Sequence, residues 1–476
     1  MRMTVSSIAA VLAIAACDGY AGMPAAETSQ GKTIATEYAS VPATAWRDAG
    51  GGAVFRELHT ELSHPWSVAE LPGGDLLITL REGKLLRIDA HGRRHEISGT
   101  PEVFAQGQGG LLDIAVAPDF AVSHRVYLSF AEADAQGLAG TAVGFGELQG
   151  NQLRDFRVIY RQLPKLGGGM HFGSRLVFDR DGMLWISQGE RNQKELAQDL
   201  EVLQGKIVRL HADGAMPADN PFASGVGVRR TIWSFGHRNV QAMAMDPRTG
   251  KVWAAEHGPR GGDEINVLQA GKNYGWPIAS FGMDYATGRP YPQTQAAYIA
   301  GTEPPHHVWM KSPGVSGMAF VVNRPEHAWN NSLLVGALAD KSLIRLTLDG
   351  DKVTEAERLL TDSGWRIRDV RVTAVGRILV LTDEDDGRLL EIVPNRRHGE
   401  KNTRIMLGSL EGYPSGQRGQ TVNLLAYAFG GSNPPPSTIL PSGGWSSVRS
   451  CETAGVTTRL CSTQATLRGS SSMVEQ

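Results

Sequence analysis

One pattern of apolar and polar positions recurs along the middle of the chain. It consists of an alternating strand, a turn rich in Pro, Asp or Gly, and a second apolar strand. The copies, spaced by roughly 45 to 75 residues, read WSVAELPGGDLLITL, LLDIAVAPDFAVSHRVYLSF, SRLVFDRDGMLWIS, QAMAMDPRTGKVWAAE, SGMAFVVNRPEHAWNNSLLVGAL and DVRVTAVGRILVLTD. Each copy can bury its two faces only against neighbouring copies. Six copies therefore predict an all-β fold, a six-bladed β-propeller with long inter-blade loops, and disfavour the alternative of two packed sheets.

The repeats place the propeller domain at residues 46–396, and the chain before it has the composition of an export signal. Arg2 precedes the apolar run VSSIAAVLAIAA, which is too short to span a bilayer and is typical of a signal peptide over residues 1–17. The run ends at Cys17, and IAAC resembles a bacterial lipoprotein cleavage box, with an ordinary signal peptide as the alternative. Both interpretations predict a bacterial protein outside the cytoplasm, in the periplasm. In the first, a lipid on Cys17 is its membrane attachment.

The remaining segments, the net charge and the cysteines limit the classes of structure, partner and metal site to be expected. Small and polar residues predict a flexible spacer at 18–45, while residues 397–476 lack a sustained period and predict a disordered or spurious tail. The formal net charge of −2 argues against nucleic acid as a partner. Apart from Cys17 the cysteines are Cys451 and Cys461, so the propeller has no disulfide and no thiolate metal site.

Polar residues able to do chemistry stand at the start of the first strand in several predicted blades. They are Gln108 in AQGQGGLLDI, His171 in GGGMHFGSRLVFD, Arg238 and Asn239 in SFGHRNVQAMAMD, and Arg366 and Arg368 in RIRDVRV. We expect these positions to converge on one face of the propeller. A neutral imidazole is suited to accept a proton near pH 7, and several guanidiniums around it imply an anionic partner with several carboxylates. The alternatives are a histidine hydrogen-bonded in a loop and an arginine that ties down a blade edge.

A loop after the fourth repeat, EHGPRGGDEINVLQAGKNYGWP, combines acidic side chains, glycines and a proline. Carboxylates and loop carbonyls are hard oxygen donors that suit Ca²⁺, and no Cys or His spacing here indicates zinc. This loop therefore predicts a calcium site.

Several specific motifs follow one another over about residues 60 to 393. They read GQGGLLD, HFGSRLVFD, AQDLEVLQGKIVRL, GHRN, EHGPRGGDEIN, KNYGWP, SPGVSGMAF and RIRDVR. In this order they resemble the soluble quinoprotein glucose/sorbosone dehydrogenase family, and more closely its periplasmic aldose sugar dehydrogenases, which use pyrroloquinoline quinone (PQQ), a tricarboxylate o-quinone. The resemblance implies oxidation of aldose sugars at C1 to lactones, with hydride transfer to Ca²⁺-bound PQQ and onward transfer to an electron acceptor of unknown identity.

The resemblance also implies roles for individual residues of this chain. His171 would be the general base, Glu190 would orient it, and Arg238 would stabilise the developing oxyanion. The implied cofactor-binding residues are Gln108, Arg238, Asn239, Ser312, Lys341, Arg366 and Arg368. The implied calcium ligands are the carbonyls of Gly258 and Pro259 at the cofactor, and Glu264, the Tyr274 carbonyl and Glu303 at a second, structural ion.

Two positions depart from the family pattern. Ala339 in GALADKSL stands where a cofactor-binding lysine is usual, with Lys341 two residues on, and Met170 precedes His171 where a polar residue is commoner. Losing one charge-assisted contact costs on the order of 1.5 to 3 kcal/mol, which would weaken PQQ binding without abolishing it. The competing functions are a Ca²⁺-dependent lactonase, which the arginine-rich face disfavours, and a non-catalytic propeller that binds peptides or glycans.

Overall fold

The computed structural model of the protein describes residues 46–395, apart from the side chains of residues 355 and 356. The predicted leader (1–17), spacer (18–45) and tail (397–476) lie outside this range. Within it, helical structure is confined to a short α-helix, α1 (Phe120–Ser123), and two 3₁₀ turns, Lys194–Ala197 and Gly227–Thr231. No helix of this described range is long and apolar enough to cross a membrane.

The strands form six antiparallel sheets in sequence order, which confirms the predicted six-bladed β-propeller. The chain first forms β1 (Arg47–Asp48) and β2 (Ala53–Leu62), and then blade 1 from β3 (Pro65–Glu70), β4 (Leu76–Leu80), β5 (Leu85–Ile88) and β6 (Arg94–Ile97). Blade 2 contains β7 (Leu111–Val116), β8 (Arg125–Ala133), β9 (Ala139–Gln149) and β10 (Gln152–Arg161). Blade 3 contains β11 (Gly173–Phe178), β12 (Leu184–Gln188), β13 (Lys206–Leu210) and β14 (Ile232–Phe235).

The second half of the ring follows the same plan. Blade 4 contains β15 (Val240–Met245), β16 (Val252–Glu256), β17 (Asp263–Val267) and β18 (His307–Trp309). Blade 5 contains β19 (Val315–Val321), β20 (Ser332–Ala337), β21 (Ser342–Asp349) and β22 (Lys352–Leu359). Blade 6 begins with β23 (Ile367–Val372), β24 (Ile378–Thr382) and β25 (Gly387–Pro394). The recurring sequence pattern corresponds to the two inner strands of each blade.

Blade 6 joins the two ends of the described chain. Its strands run in the order β1-β2-β25-β24-β23, so β2 pairs with β25 and places Phe55 opposite Ile392. The inner strands β3, β7, β11, β15, β19 and β23 pack side by side around the axis, and β23 lies against β3. Because the ring closes on itself, each inner strand is covered on both sides, and apolar side chains such as Trp253 and Phe320 fill the space between neighbouring blades.

Every inner strand is irregular at its start. The register with the second strand shifts between Pro65 and Ser67, Leu111 and Ile114, Gly173 and Leu176, Val240 and Ala242, Val315 and Met318, and Ile367 and Asp369. A bulge of this kind leaves a residue unpaired and turns nearby side chains away from strict alternation. The six bulges lie at the same end of the ring, at the start of each inner strand.

Buried charges connect the inner strands at the axis. Arg175 Nη1 lies 3.2 Å from Asp113 Oδ1 and 3.0 Å from Asp369 Oδ1. Arg371 approaches the same two carboxylates, at 2.8 and 3.0 Å. Ser67 donates its hydroxyl to Asp113 at 2.6 Å. These residues belong to blades 1, 2, 3 and 6, so a single network with fully buried carboxylates links four blades.

Removing a carboxylate from this axis network should cost much more stability than removing an exposed one. We expect Asp113→Ala to lower the free energy of unfolding by about 3–5 kcal/mol, because two guanidiniums would lose a buried partner. The control is Glu201→Ala, whose ion pair with Arg229 is largely exposed and should be worth less than about 1 kcal/mol. Chemical denaturation measures both values, and equal costs would contradict the stabilising role of the network.

Candidate active site

A cavity of about 1110 Å³ opens at the end of the ring where the inner strands begin. Its wall is formed by the first residues of the inner strands and by loops that follow the second strands. The lining residues include Trp66, Gln108, Leu112, Met170, Phe172, Asn239, Gln241, His257, Leu338, Arg366, Arg368 and Asp383–Asp386. Four of the residues predicted to hold a cofactor, from blades 2, 4 and 6, therefore face one space.

His171 and Glu190 meet beside this cavity because one hairpin brings them together. In blade 3, Gly173 of β11 is paired with Gln188 of β12, so the residues just beyond this pair lie opposite each other. His171 Nδ1 is 2.6 Å from Glu190 Oε2, with Glu190 fully buried and His171 only 4% exposed. The chain can approach this closely because residue 189 is glycine, where a Cβ would lie 2.1 Å from the His171 carbonyl oxygen.

The electrostatic surroundings of Glu190 determine whether the proton between Glu190 and His171 lies on the carboxylate or on the ring. Burial alone would raise the pKa of Glu190, but the facing His171 ring and the Arg238 guanidinium lower this pKa below its ordinary value. Glu190 is therefore ionised at neutral pH and accepts the hydrogen bond from Nδ1–H of His171. In the neutral form of the ring the lone pair is then on Nε2, which is the atom that can accept a proton.

The backbone of His171 is held by the loop of blade 2 that carries Gln108. The Gln108 side-chain carbonyl accepts a hydrogen bond from His171 N at 2.8 Å, and Gln108 N donates to Gly169 O at 2.7 Å. Gly107 has φ +60°, and a Cβ there would lie 2.5 Å from Gly169 O. Gln108 thus both lines the cavity and positions the histidine, a contact that sequence reasoning did not anticipate.

Arg238 and Asn239 precede β15 and lie on the other side of the same hairpin. Arg238 Nη1 donates to Gly258 O at 2.8 Å, and its guanidinium stands 5.4 Å from the ring centre of Trp276. Asn239 Oδ1 accepts a hydrogen bond from Gly173 N at 3.1 Å. Arg238 Nε is buried without a hydrogen-bond partner among residues 46–395. A buried donor without a partner is costly, so this atom is suited to an anionic or carbonyl group, although Arg238 is not among the residues that line the cavity.

Arg366 and Arg368 converge, as two arginines spaced by two in an extended segment should. Both contact Asp383 Oδ2, at 3.3 and 2.8 Å. Burial would raise the pKa of Asp383, but the two guanidiniums and His64 hold this pKa well below its usual range. Arg368 Nε is buried and, within the described chain, has no hydrogen-bond partner.

Sequence reasoning missed the groups that face these arginines. Asp383, His64 and Arg81 all line the cavity, and His64 Nε2 lies 2.7 Å from Asp385. His257 also lines it, and its Nε2–H donates to Val315 O at 2.6 Å, which leaves Nδ1 as the acceptor. Burial lowers the pKa of His257, so this ring is neutral. The available signal was position, because Asp383 and His257 each follow the second strand of a blade.

Ser312 and Lys341 are not among the residues that line the cavity. Lys341 is exposed in the turn between β20 and β21, and the neighbouring Ala339 donates its N–H to Pro313 O at 2.8 Å. Ser312 Oγ is buried and lacks a hydrogen-bond partner in the described range. The cavity is reached from this segment by Leu338 instead. The implied cofactor contacts of Ser312 and Lys341 therefore stay predictions.

The implied calcium ligands occupy two places. Gly258 and Pro259 lie in a tight turn beside Arg238, where a Cβ on Gly258 would meet Gly261 O at 2.3 Å. At the second place, burial and the charge of Glu256 raise the pKa of Glu264 well above its ordinary value.

Most groups around Glu264 already have partners, and Glu256 contacts His237 Nδ1 at 2.8 Å and accepts a hydrogen bond from Arg238 N at 2.7 Å. Asn266 donates to Glu256 at 3.2 Å and to Glu264 at 3.3 Å, and its Oδ1 is buried with no partner among residues 46–395. Tyr274 donates its hydroxyl to Val267 O at 2.7 Å, and Glu303 pairs with Lys272 at 2.8 Å. In the described chain, no group of three or more His, Cys, Asp or Glu side chains is arranged to hold a metal ion.

Comparison with known proteins gives a consistent assignment. Residues 62–391 match the family model described as glucose/sorbosone dehydrogenase. The chain is 52% identical over 341 residues to the aldose sugar dehydrogenase YliI of Escherichia coli strain K12, which covers 71% of this chain and 92% of that protein. It is 27% identical over 429 residues to quinoprotein glucose dehydrogenase B of Acinetobacter calcoaceticus, with 71% and 88% covered.

Solved structures agree with the sequence matches. The soluble aldose sugar dehydrogenase of Escherichia coli in its apo form superposes with a TM-score of 0.70 at 50% identity, covering 72% of this chain and 99% of that one. The PQQ-bound form of an aldose sugar dehydrogenase from Streptomyces coelicolor superposes with a TM-score of 0.59 at 31% identity, covering 72% and 99%.

The close approach at residue 189 can be tested directly. We expect Gly189→Ala to lower the free energy of unfolding by about 1–3 kcal/mol, because its methyl group would push against the His171 carbonyl. Gly73→Ala is the control, since nothing lies within 4 Å of a Cβ there and its effect should stay within about 0.5 kcal/mol. Chemical denaturation compares the two variants, and an equally mild effect of Gly189→Ala would contradict the packing described.

Proposed function

The chain belongs to the glucose/sorbosone dehydrogenase family, and from this premise we propose that it oxidises aldose sugars at C1 to lactones, with PQQ as its cofactor. It is an oxidoreductase of the aldose sugar dehydrogenase type. The observation that carries the proposal is the 2.6 Å contact between His171 Nδ1 and the buried Glu190 carboxylate, beside an arginine-lined cavity. An imidazole in this state is a general base whose reactive nitrogen is fixed by a second residue.

The arginines at the cavity suit a cofactor that carries several carboxylates, which would compete with Asp383 for Arg366 and Arg368. Arg238 and Arg368 each have a buried Nε that lacks a partner in the described chain, and Arg366 stands next to Arg368. The volume of about 1110 Å³ is ample for a small planar molecule together with a sugar. In this proposal Arg238, Asn239, Arg366 and Arg368 hold PQQ. When bound, PQQ supplies the quinone that takes two electrons from the sugar.

The protein residues then perform the proton chemistry. His171 Nε2 takes the proton of the C1 hydroxyl, and ionised Glu190 stabilises the imidazolium that forms. Gln108 keeps the histidine in place through its bond to His171 N. Arg238 provides a fixed positive charge where negative charge develops, in a buried site where such a charge acts strongly.

Calcium forms part of the proposal for reasons of donor chemistry. Gly258 and Pro259 would offer hard carbonyl oxygens beside Arg238. Glu264 and Glu256 are two close carboxylates, and the nearby Asn266 Oδ1 has no donor among residues 46–395. A divalent cation would relieve the repulsion and satisfy that oxygen, so these residues fit a structural Ca²⁺. Glu303 already has Lys272 as a partner and would have to exchange it.

The experiment is reconstitution of the apo-protein with PQQ, in Ca²⁺ and in EDTA, followed by an assay of aldose-dependent dye reduction. We expect reduction with Ca²⁺ present and a large loss in EDTA. If no aldose in a broad panel gives dye reduction and PQQ absorbance does not change on mixing, the proposal is rejected. Hydrolysis of lactones without PQQ would indicate the lactonase instead.

The role of His171 gives a separate prediction. His171→Ala should retain PQQ binding, because the arginines are untouched, and lower kcat by about 10² or more. His91→Ala is the control, since His91 lies exposed in the turn before β6. Steady-state kinetics with a PQQ binding titration measures both. An unchanged kcat in His171→Ala would place the base elsewhere.

A further inference from the structure

Arg191 directly follows Glu190 and is buried beside the histidine loop. The residue is 1% exposed and has φ +57°, a backbone conformation that residues other than glycine rarely adopt. Burial lowers its pKa to about 10, while the charge of Glu190 acts in the opposite direction. Arg191 therefore keeps its positive charge at neutral pH in a place where a charge is costly.

Its guanidinium is bonded to backbone carbonyls of the loop that leads into His171. Nη1 donates to Met170 O, and Nη2 donates to Gly168 O at 2.5 Å and to Leu166 O at 3.5 Å. One planar cation thus contacts three alternate carbonyls of a five-residue stretch. A guanidinium has five N–H donors in a fixed plane and is suited to such a set.

Two further contacts tie Arg191 to its surroundings. Nε donates to Ala139 O at 3.4 Å, and the guanidinium carbon lies 3.7 Å from the ring centre of Phe172. Ala139 begins β9 of blade 2, while Phe172 is the residue after His171 and lines the cavity. The cation therefore connects the histidine loop to β9 of the neighbouring blade 2.

Apart from these contacts, the loop is fixed at its start by Leu166, whose N–H donates to Ala139 O at 3.0 Å and whose carbonyl accepts from Ala139 N at 2.8 Å. It runs through Gly167, Gly168 and Gly169, which have no side chains to pack, and reaches His171 at φ +55°. Glycine adopts many backbone conformations at similar cost, so a run of three favours a mobile backbone. The Gln108 bonds described above hold one side of the loop. The carbonyls on its other side are those that Arg191 contacts.

We propose that Arg191 is a positioning residue that fixes the backbone of residues 166–170 and thereby the place of His171. This inference rests on the proposed function for its kinetic consequence. Glu190 and Arg191, adjacent in the chain, then have separate roles. The carboxylate orients the imidazole ring, and the guanidinium holds the main chain of the loop that leads to His171. Displacement of a catalytic base by an ångström is enough to lower turnover strongly.

The test compares Arg191→Met and Arg191→Lys with the control Arg157→Met. Arg157 also stacks on an aromatic ring, Phe145 at 4.4 Å, but lies exposed on β10 far along the blade from the loop. Amide hydrogen exchange of the apo-protein follows the peptide that spans residues 166–172. PQQ binding titration and steady-state kinetics of the reconstituted enzyme follow function.

For Arg191→Met we expect exchange in the 166–172 peptide to become at least about tenfold faster and kcat to fall about tenfold or more, with KM and PQQ affinity changed by less than about threefold. For Arg191→Lys we expect an exchange rate and a kcat between those of the wild type and of Arg191→Met, because an ammonium keeps the charge but cannot reach three carbonyls in a plane. Arg157→Met should match the wild type in every measurement.

Two results would overturn the inference. Unchanged exchange in the 166–172 peptide would show that the loop does not depend on Arg191. Faster exchange across all blades together with loss of PQQ binding would assign Arg191 to general stability. Because exchange is measured on apo-protein, this arm remains decisive even if the wild type oxidises no aldose, a result that would reject the proposed function alone.

Discussion

Two buried carboxylates on the propeller axis, Asp113 and Asp369, constrain the relative positions of the inner strands that contact them. Each is shared by Arg175 and Arg371, and Arg175 also donates from Nε to Gln241 O at 2.8 Å. A network of this kind has one good arrangement, because any displaced partner leaves an unpaired charge away from water. Gln241 also lines the cavity, so the axis network is bonded directly to the wall of the candidate site.

Residues at the bulges of four inner strands, Trp66, Leu112, Gln241 and Arg368, line the cavity. Two short segments of the chain, one in blade 3 and one in blade 2, each supply more than one of the contacts that position His171. In blade 3 a single paired hairpin places His171 opposite Glu190, and Arg191 follows to hold the loop. In blade 2 Gln108 lines the cavity and binds the histidine backbone. Rigid strands and short loops thus keep a glycine-rich segment in one position.

The sequence predicted the repeated elements well because their pattern depends on local alternation. The two inner strands of each blade lie where the six repeats were found. The pairing of β2 with β25 could not be predicted, since AVFRELHTEL has no feature that selects a partner more than 300 residues away. The strand-start residues Gln108, Asn239, Arg366 and Arg368 were placed on one face by repeat position and line one cavity, whereas His171 and Arg238, predicted for the same face, are not among its lining residues. His64 was missed because its surroundings come from packing between blades, whereas Asp383 and His257 carried a signal that was not used, their position after the second strand of a blade.

Glu190 is expected to act on the chemistry only through His171, and a double-mutant cycle distinguishes this from an independent role. kcat is measured on PQQ-loaded wild type, His171→Ala, Glu190→Gln and the double variant, with one aldose. We expect Glu190→Gln to lower kcat about tenfold or more in the wild type but less than about twofold in His171→Ala, because its effect requires the imidazole. An equal loss in both backgrounds would contradict the claim, since Glu190 would then act independently of His171.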